Sequence, residues 1–403
     1  MEIKGKYGIA KVYASLIDEN TKVQIKELMD QKFIKDLDVR IMADCHAGKG
    51  CVIGTTMKVK DKIVPNLVGV DIGCGMLTVK LGKMDVNLIK LDRFIRKKIP
   101  NDNDVYNEEQ KFNVDVTKLR CYEFIKNKSH INKSMGTLGG GNHFIEIDKD
   151  DENNLYLVIH SGSRNLGKQV CEYYTKVAKE EYLKNKEKNY KALVKRYKKL
   201  NKEYKIEEGL NKLKEKYNSI NFDLVPLEGK AFNDYMFDMD ISQKFAYENR
   251  ERMAYKILEF LELNLNDFEY FHTIHNYINM EDKILRKGSI SAYENEEILI
   301  PINMRDGSIL AKGKSNEDYN FSAPHGAGRI FSRKEAREIV TLEDFKKSME
   351  GIYSTSVQVD TLDESPFAYK SIDDIIPNIL PTVEIVKILK PIYNFKACKN
   401  RSR

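Results

Sequence analysis

Short apolar segments that end in glycine-rich loops recur along this chain from about residue 41 to residue 329. Leu155 to Ile159 is one such segment, and it runs directly into His160-Ser-Gly-Ser-Arg164. Continuous apolar runs punctuated by glycines are typical of buried strands that end in tight loops. Because functional side chains concentrate on loops held by a rigid scaffold, we expect a site assembled from loops that are distant in sequence.

The composition excludes several classes of protein. Of the 403 residues, 41% are hydrophobic and 10% are aromatic, which is enough to bury a core and argues against disorder. No run of apolar residues is long enough for a membrane span, and the N-terminus lacks the apolar core of a signal peptide. The six cysteines show no framework spacing, so we expect a cytoplasmic protein with reduced thiols. The net charge of +6 permits a polyanionic partner without requiring one.

Neither an internal repeat nor a Pro/Gly/Ser-rich linker divides the chain. We therefore predict one large domain over residues 1–403. Residues 168–220 are rich in Lys, Glu and Tyr, and mixed-sign charges at this density predict solvated helices. We expect a charged helical insertion at about residues 168–235. Its basic helices (178–216) are either a solvated face or a guide for the phosphate backbone of a polyanionic partner.

The glycine-rich loops carry side chains that can bind metal ions or phosphates. These candidates are Asp71, Cys74, His143, His160, His275 and His325. One Asp, one Cys and several His form a mixed donor set that suits Mn, Fe, Co or Zn. A thiolate can bridge two ions, and two ions a few ångströms apart are the usual clamp for phosphoryl chemistry. Arg164 and Arg329, each just after a His loop, can hold phosphates bidentately.

A structural interpretation of the same residues stays open at this point. The chain contains only seven histidines, and it has neither a CxxC nor an HExxH motif. Cys74 could be a small buried residue at the end of a strand, which is the usual position of a cysteine. Spacing alone therefore does not separate a metal site from a set of buried structural side chains.

Six motifs resemble those of the RtcB-type RNA-splicing ligases, and they come in that family's order over about residues 40 to 396. The motifs are Met42-Ala-Asp-Cys-His-Ala-Gly-Lys-Gly50, Val68-Gly-Val-Asp-Ile-Gly-Cys-Gly-Met76, Leu138-Gly-Gly-Gly-Asn-His-Phe144, His160-Ser-Gly-Ser-Arg164, His275-Asn276 and Pro324-His-Gly-Ala-Gly-Arg329. The resemblance implies an α+β fold, with a single large domain of packed β-sheets flanked by helices and a deep active-site cleft.

The resemblance also implies a reaction. Enzymes of this family join RNA ends bearing a 2′,3′-cyclic phosphate or a 3′-phosphate to 5′-hydroxyl ends, in RNA repair or splicing. They use GTP and two Mn²⁺ ions. The histidine that attacks GTP matches His325, which would carry the guanylate before it passes to the RNA 3′-phosphate. The sequence identifies neither the physiological RNA nor an activating protein partner.

The family's ligands and nucleotide contacts map onto this chain residue by residue. The implied metal ligands are Asp71, Cys74, His143, His160 and His275, with Cys74 as the bridge between the two ions. The implied guanylate pocket consists of Asn142, His143, Phe144, Ile145, Glu146, His275, Asn276, Pro301, Ile302, Asn303, Met304, Ser308, His325, Gly326, Ala327, Gly328 and Lys396. The chain departs from the family pattern at residues 301–304, where Pro-Gly-Ser-Met is usual, and around Lys396, where Val-Ile-Lys-Gly is frequent.

Several residues near the motifs have less specific expectations. Asp44 and Glu146 are candidates to orient a metal-bound histidine. His46 could hold phosphate or RNA, or it could be structural. His272 is expected to pack or to lie at the surface, and His130 to lie at the surface. Glu364-Ser-Pro-Phe-Ala-Tyr-Lys370 resembles a family segment, and we interpret it as structural support.

Two competing functions belong to other classes. One is a guanylyltransferase that caps 3′-phosphate DNA or RNA ends, which would keep His325 and change the acceptor. The other is a weakly catalytic RNA-binding paralogue. The complete set of six ligand and nucleophile candidates argues against the second, because a degenerate paralogue should lack at least one of them.

Overall fold

The computed structural model describes residues 1–14, 17–218 and 221–398, without the side chains of residues 216 and 218. The strands are β1 (Glu2–Lys4), β2 (Ile9–Val12), β3 (Val39–His46), β4 (Ile53–Lys58), β5 (Lys62–Ile63), β6 (Gly75–Gly82), β7 (Phe144–Lys149), β8 (Leu155–Ser161), β9 (Leu227–Glu228), β10 (Tyr270–Ile274), β11 (Asn276–Ile278), β12 (Ile284–Lys287), β13 (Ser289–Ser291), β14 (Glu297–Asn303), β15 (Gly307–Gly313), β16 (Ser322–Pro324) and β17 (Val383–Phe395). The α-helices are α1 (Glu19–Met29), α2 (Pro65–Val68), α3 (Leu88–Lys98), α4 (Lys128–Ser134), α5 (Arg164–Lys199), α6 (Ile206–Asn218), α7 (Gly229–Phe260), α8 (Arg333–Ile339), α9 (Leu342–Ser348) and α10 (Ile372–Ile379).

A seven-stranded antiparallel sheet forms the centre, with strand order β10-β6-β8-β7-β17-β15-β14. Every residue of β8 is buried. Leu157 and Ile159 face one hydrophobic core, whereas Tyr156 and Val158 face another. Successive side chains of a strand point to opposite faces, so a strand covered on both faces must be apolar throughout. This explains why the sequence of β8 does not alternate.

A second sheet has the order β1-β2-β3-β4-β12-β11, and its one parallel pair is β2 with β3. β3 leads into the first glycine-rich motif, and β11 starts one residue after the end of β10, which belongs to the central sheet. The two sheets are therefore linked at His275, the residue between β10 and β11. The short pair β13–β16 leads into the last glycine-rich motif.

Two long helices flank the sheets. The C-terminal half of α7 packs Met253 and Ile257 against the central sheet, and its N-terminal half contributes Tyr235 and Phe245 to the largest core. α5 contributes buried residues only up to Ala178. Beyond that point it packs against α6, with Tyr182 and Tyr217 in edge-to-face contact. The helical segment predicted at about 168–235 thus corresponds to most of α5, all of α6 and the start of α7.

The combination of helices with packed sheets confirms the predicted α+β class. Within the described residues, no helix combines the length and the apolar character that a membrane crossing requires.

Candidate metal and nucleotide site

Four neighbouring strands of the central sheet each bring one candidate metal donor to the same edge. Cys74 directly precedes β6 and His143 directly precedes β7, whereas His160 lies at the end of β8 and His275 directly follows β10. The strands are adjacent in the order β10-β6-β8-β7, and all three pairings are antiparallel. The beginning of one antiparallel strand lies beside the end of the next. The strand order therefore gathers four donors whose positions in the sequence differ widely.

The donor atoms converge on the Cys74 thiol. Its Sγ lies 3.4 Å from His143 Nε2 and 3.3 Å from His160 Nε2. His160 Nε2 is in turn 3.4 Å from His275 Nε2. Two groups of donors result, Asp71–Cys74–His143 and Cys74–His160–His275, and within each group the ligand atoms lie within 4.8 Å of one another. Cys74 belongs to both groups, which is the arrangement that a bridging thiolate requires. We call Asp71, Cys74, His143, His160 and His275 the donor cluster.

Asp71 reaches the donor cluster from the tight turn before β6. Its Oδ2 lies 3.0 Å from His143 Nε2, and its Oδ1 accepts a hydrogen bond from the Ser163 N–H at 3.2 Å. A Cβ at Gly162 would collide with the Asp71 carboxylate, so only glycine permits this close approach. The glycine of the His160-Ser-Gly-Ser-Arg164 motif is thus explained by the position of Asp71.

Burial favours the protonation states that suit metal binding at the imidazoles. It lowers the pKa values of His160 and His275 well below the ordinary value, which keeps both rings neutral. Burial and then the Asp71 carboxylate raise the pKa of the Cys74 thiol well above its usual value. Cys74 is therefore a thiol in the metal-free protein, and only a bound cation would make it a thiolate.

The donor set fits a pair of divalent metal ions on several observations. His143 Nδ1 lies 2.8 Å from the Leu138 carbonyl oxygen, to which it donates, so the lone pair of Nε2 faces the donor cluster. His160 and His275 also direct Nε2 into the donor cluster, where these two atoms lie 3.4 Å apart. Imidazole, thiolate and carboxylate together suit borderline metals rather than Mg²⁺ or Ca²⁺.

His325 lies beside this cluster, immediately after β16. Its Nδ1 lies 2.7 Å from Asp44 Oδ2, and the same oxygen accepts its backbone N–H at 3.0 Å. Asp44 is fully buried. Because the carboxylate accepts a hydrogen bond from the Nδ1–H, the ring presents the lone pair of Nε2. The ring centroids of His325 and His275 are 4.9 Å apart, which brings the nucleophile candidate next to a metal-donor candidate.

One cavity of about 300 Å³ contains most of the predicted site. Its walls include four donor-cluster residues and His325 together with most of the predicted guanylate contacts. The predicted residues that line it are Asp71, Cys74, Asn142, Phe144, Glu146, His160, His275, Asn276, Pro301, Ile302, Asn303, Met304, His325, Gly326, Ala327, Gly328 and Lys396. Ile145 does not line it, because its side chain packs in the core beneath the central sheet. The Ser308 side chain is fully buried, and its hydroxyl has no partner among the described residues.

Comparison with known proteins identifies the family. The family model of the tRNA-splicing ligase RtcB matches residues 24–120 and 123–397. The chain belongs to the RtcB family. It is 29% identical to the RNA-splicing ligase RtcB of Escherichia coli over 393 residues, which cover 88% of each chain. It is 25% identical to the tRNA-splicing ligase RtcB of Nanoarchaeum equitans (92% of this chain, 90% of the relative) and to that of Methanococcus maripaludis (83% and 82%).

Membership of the RtcB family confirms the predicted resemblance and makes this protein an RNA ligase. The two donor groups sharing Cys74 fit a metal-dependent member of the family.

The departure from the RtcB pattern at residues 302 and 303 has a local structural explanation. Ile302 is 2% exposed and packs in the core beneath the last strands of the central sheet. The Asn303 side chain accepts the backbone N–H groups of Arg305 and Asp306, at 3.0 and 2.9 Å, and so closes the turn between β14 and β15. Both side chains have structural roles, although both also border the cavity.

Sequence reasoning missed a buried ion-pair group in the cavity wall. Glu364 Oε2 lies 2.9 Å from Lys396 Nζ, and its Oε1 lies 2.6 Å from Arg333 Nη1. The Tyr369 hydroxyl also donates to Oε2, at 2.9 Å. Burial would raise the pKa of Glu364, but Lys396 and Arg333 hold it at about 2. The sequence alone predicts only structural support for the segment that contains Glu364. Its resemblance to a family segment was the available signal, but the sequence does not reveal the partner cation of Glu364.

Asp44, His46 and His272 each have a defined environment in the structure. Asp44 contacts His325 rather than a donor-cluster histidine, so its partner differs from the expected metal-bound histidine. His46 lines the cavity, with Nδ1 3.2 Å from the Asp44 carbonyl oxygen. The His272 side chain is buried and stacks on Tyr247 with a centroid distance of 3.6 Å. His272 is therefore a packing residue.

Proposed function

We propose that this RNA ligase uses GTP and two Mn²⁺ ions to join RNA ends with a 2′,3′-cyclic phosphate or 3′-phosphate to 5′-hydroxyl ends. The observation that carries the proposal is the position of His325. It lies in one cavity with four donor-cluster residues, including Cys74, which both donor groups share, and a buried carboxylate binds its Nδ1. A nucleophilic histidine next to a pair of metals is suited to nucleotidyl transfer.

The donor cluster would hold the ions in two groups. One ion would bind Asp71, Cys74 and His143, and the other Cys74, His160 and His275. Bound there, the ions would offset the negative charge of the triphosphate and of the RNA 3′-phosphate. Burial of the imidazoles supports this role, because neutral rings offer a lone pair without first losing a proton.

The first step is the attack of His325 Nε2 on the α-phosphorus of GTP. A nitrogen–phosphorus bond forms, the bond from the α-phosphorus to the bridging oxygen breaks, and pyrophosphate leaves. Asp44 fixes the Nδ1–H tautomer and stabilises the positive charge that develops on the ring. The guanylylated histidine stores an activated phosphate, which divides one difficult transfer into easier steps.

The next steps transfer the activation to RNA. An oxygen of the RNA 3′-phosphate attacks the guanylate phosphorus, and the bond to His325 breaks. The 5′-hydroxyl of the second RNA then attacks the activated 3′-phosphate, a phosphodiester forms and GMP leaves. A 2′,3′-cyclic phosphate must first be hydrolysed to a 3′-phosphate in the same cavity.

The guanine base would lie against the part of the cavity that contains Lys396, Glu364 and Asn142. Lys396 is 5% exposed, and its Nζ lies 3.3 Å from the Asn142 carbonyl oxygen as well as beside Glu364. A buried ammonium donor with a carboxylate acceptor next to it can bind the edge of guanine, which offers both an acceptor and donors.

Labelling with α-³²P GTP and Mn²⁺ tests the assignment of the nucleophile. We expect the wild-type protein and a His130→Ala control, altered outside the site, to become labelled. His325→Ala should bind the same amount of Mn²⁺ and remain unlabelled. A labelled His325→Ala protein would refute the assignment. Ligation of a 3′-phosphate RNA to 5′-hydroxyl RNA and to 5′-hydroxyl DNA, run in parallel, then separates ligation from end capping.

A further inference from the structure

The positive charge of this protein is concentrated in one short segment. Residues 184–202 contain nine Lys or Arg residues and a single acid, Glu187. Their net charge of +8 exceeds the +6 of the whole chain, so the remaining residues together carry −2. We call residues 184–202 the basic arm. It comprises the distal part of α5 and the residues that follow it. Such asymmetry is the electrostatic signature of nucleic-acid contact.

The charges of the basic arm are not neutralised within the protein. The ion pairs of α5 among the described residues, Lys168–Glu172 and Lys176–Glu180, both precede the arm. All nine cationic side chains of the arm are exposed except that of Lys186, which lies over the rings of Tyr190 and Tyr217. None of the nine cations makes an ion pair with any residue that the structure describes. The arm therefore differs from an ordinary solvated helix, in which charges of both signs alternate.

Helix stability does not explain this composition. Cations in the last turn of α5 interact favourably with the helix dipole, but this accounts only for Arg196, Lys198 and Lys199. Earlier in the helix, like charges lie four residues apart at 184 and 188 and again at 191 and 195. Such pairs destabilise a helix. The arm thus retains unfavourable charges in a segment where nothing in the fold requires them.

The arm is a rigid extension of the active-site scaffold. α5 begins at Arg164, next to Ser163, whose N–H binds Asp71 of the donor cluster. Its first part is buried as far as Ala178, and α6 supports the remainder through contacts such as Asn189 Nδ2 to the Tyr217 hydroxyl at 2.6 Å. At 1.5 Å per residue the arm begins about 30 Å from Arg164 and α5 ends about 52 Å from it.

We propose that the basic arm binds the phosphate backbone of the RNA substrate at a distance from the ends that are joined. The proposal rests on RNA being the substrate. Exposed lysines that release counterions from phosphates bind nucleic acid without regard to sequence. Because the arm begins about 30 Å from Arg164, it would meet an A-form RNA duplex roughly one helical turn or more away from the reacting ends. It would thereby favour structured RNAs over short fragments.

The test compares two variants with the same change in net charge. The arm variant carries glutamine at Lys188, Lys191, Lys195, Lys198 and Lys199. The control variant carries glutamine at exposed lysines elsewhere, Lys4, Lys32, Lys35, Lys346 and Lys347. Lysine and glutamine have similar helix propensities, so the helical circular dichroism of both variants should equal that of the wild type. Each protein is assayed with RNA ends carried on duplexes of about 6 and about 25 base pairs; the first is too short to reach the arm and the second is long enough to pass along it.

We expect the arm variant to raise KM for the long substrate about tenfold at unchanged kcat, and to ligate the short substrate like the wild type. The slope of log affinity against log salt for the long RNA should become shallower by about four, close to 0.7–0.9 for each lost phosphate contact. The control variant should behave like the wild type in both respects. Equal effects of the two variants, equal effects on the two substrates, or an unchanged KM for the long RNA would overturn the proposal.

Direct binding separates this proposal from the proposed ligase chemistry. Fluorescence anisotropy with the long RNA measures the contribution of the arm even if neither substrate is ligated. If neither substrate is ligated, loss of RNA affinity in the arm variant still supports RNA binding by the arm, whereas the absence of ligation contradicts the proposed ligase chemistry. Binding of the wild type to vesicles of anionic phospholipid but not to the long RNA, with loss in the arm variant, would assign the arm to a membrane surface and overturn the proposal.

Discussion

The donor cluster comes from neighbouring strands of the central sheet, whereas another part of the cavity wall combines two strands of that sheet that are not adjacent, β14 and β17, with Glu364, which lies outside the sheet. This second part, which we call the C-terminal wall, consists of residues 301–304, Glu364 and Lys396. Backbone hydrogen bonds between β10, β6, β8 and β7 set the donor positions. Buried ion pairs and a side-chain-capped turn set the C-terminal wall.

This difference suggests how each part responds to change. The strand ladder fixes the position of each donor, so the remaining donors cannot move to replace one that is removed. Removal of one donor should therefore abolish metal binding. The C-terminal wall depends on several polar contacts, and each of them contributes only part of the binding energy. It already tolerates Ile302 and Asn303 where the family usually has smaller residues. We expect all-or-none effects in the donor cluster and graded effects in the C-terminal wall.

The largest expected effect is that of Cys74→Ala. Removing the donor shared by both groups should eliminate bound Mn²⁺ and lower ligation by more than about 100-fold, beyond what loss of a residue that only orients a ligand costs. Metal analysis and a ligation assay measure the two quantities. Cys171→Ala is the matched control, because Cys171 is equally buried but lies outside the cavity. Normal metal content in Cys74→Ala would contradict the all-or-none effect that we expect in the donor cluster.

Asp44→Asn should have the next largest effect. Loss of the carboxylate would allow His325 to adopt the other tautomer, with a proton on Nε2, and we expect guanylylation to slow by roughly 10²- to 10⁴-fold. Manganese content should not change. Asp92→Asn, at a buried carboxylate outside the cavity, provides the control. Guanylylation at the wild-type rate would show that the Asp44 contact is only structural.

Glu364→Gln should produce a graded effect. Without its counter-charge Lys396 is less firmly held, and we expect KM for GTP to rise about tenfold, or about 1.4 kcal/mol, while kcat changes little. Steady-state kinetics with varied GTP measure this split. Asp363→Asn is the matched control, because it also loses ion pairs to Arg333 and Arg337 but does not touch Lys396. A fall in kcat at unchanged KM would place Glu364 among the groups that act on the transition state.

The smallest expected effect concerns stability and pH. Burial raises the pKa of Glu146 to about 7, above its value in the unfolded chain. A raised acid contributes stability that is present below the unfolded pKa and is lost as pH rises through the folded pKa. The wild type should therefore lose up to roughly 3 kcal/mol of unfolding free energy between about pH 4 and pH 8 through this group. Glu146→Gln should lose less, as measured by denaturant titration.

The control for this measurement is Glu281→Gln, at an exposed glutamate. It should follow the pH dependence of the wild type. If Glu146→Gln follows it as well, burial does not govern this carboxyl group.

From the sequence alone we predict which side chains bind metal or act as the nucleophile. Most of these candidates lie beside glycine-rich segments or end an apolar run, whereas His275 is distinguished only by the family motif His275-Asn276. The continuous apolar pattern of β8 likewise indicated a strand covered on both faces. The resemblance of the six motifs to the family was sufficient to predict the α+β class and the RNA ligase family.

The grouping of these residues becomes visible only in the tertiary structure. The order β10-β6-β8-β7 brings His275 beside Cys74 although about 200 residues separate them, and His325 binds Asp44 across a separation of 281 residues. Glu364 escaped a functional assignment because its partner Lys396 lies on another segment. Strand order and buried ion pairs are long-range contacts, and a residue's immediate neighbours do not specify them. The grouping of donors around one thiol therefore follows from the packing of the sheet.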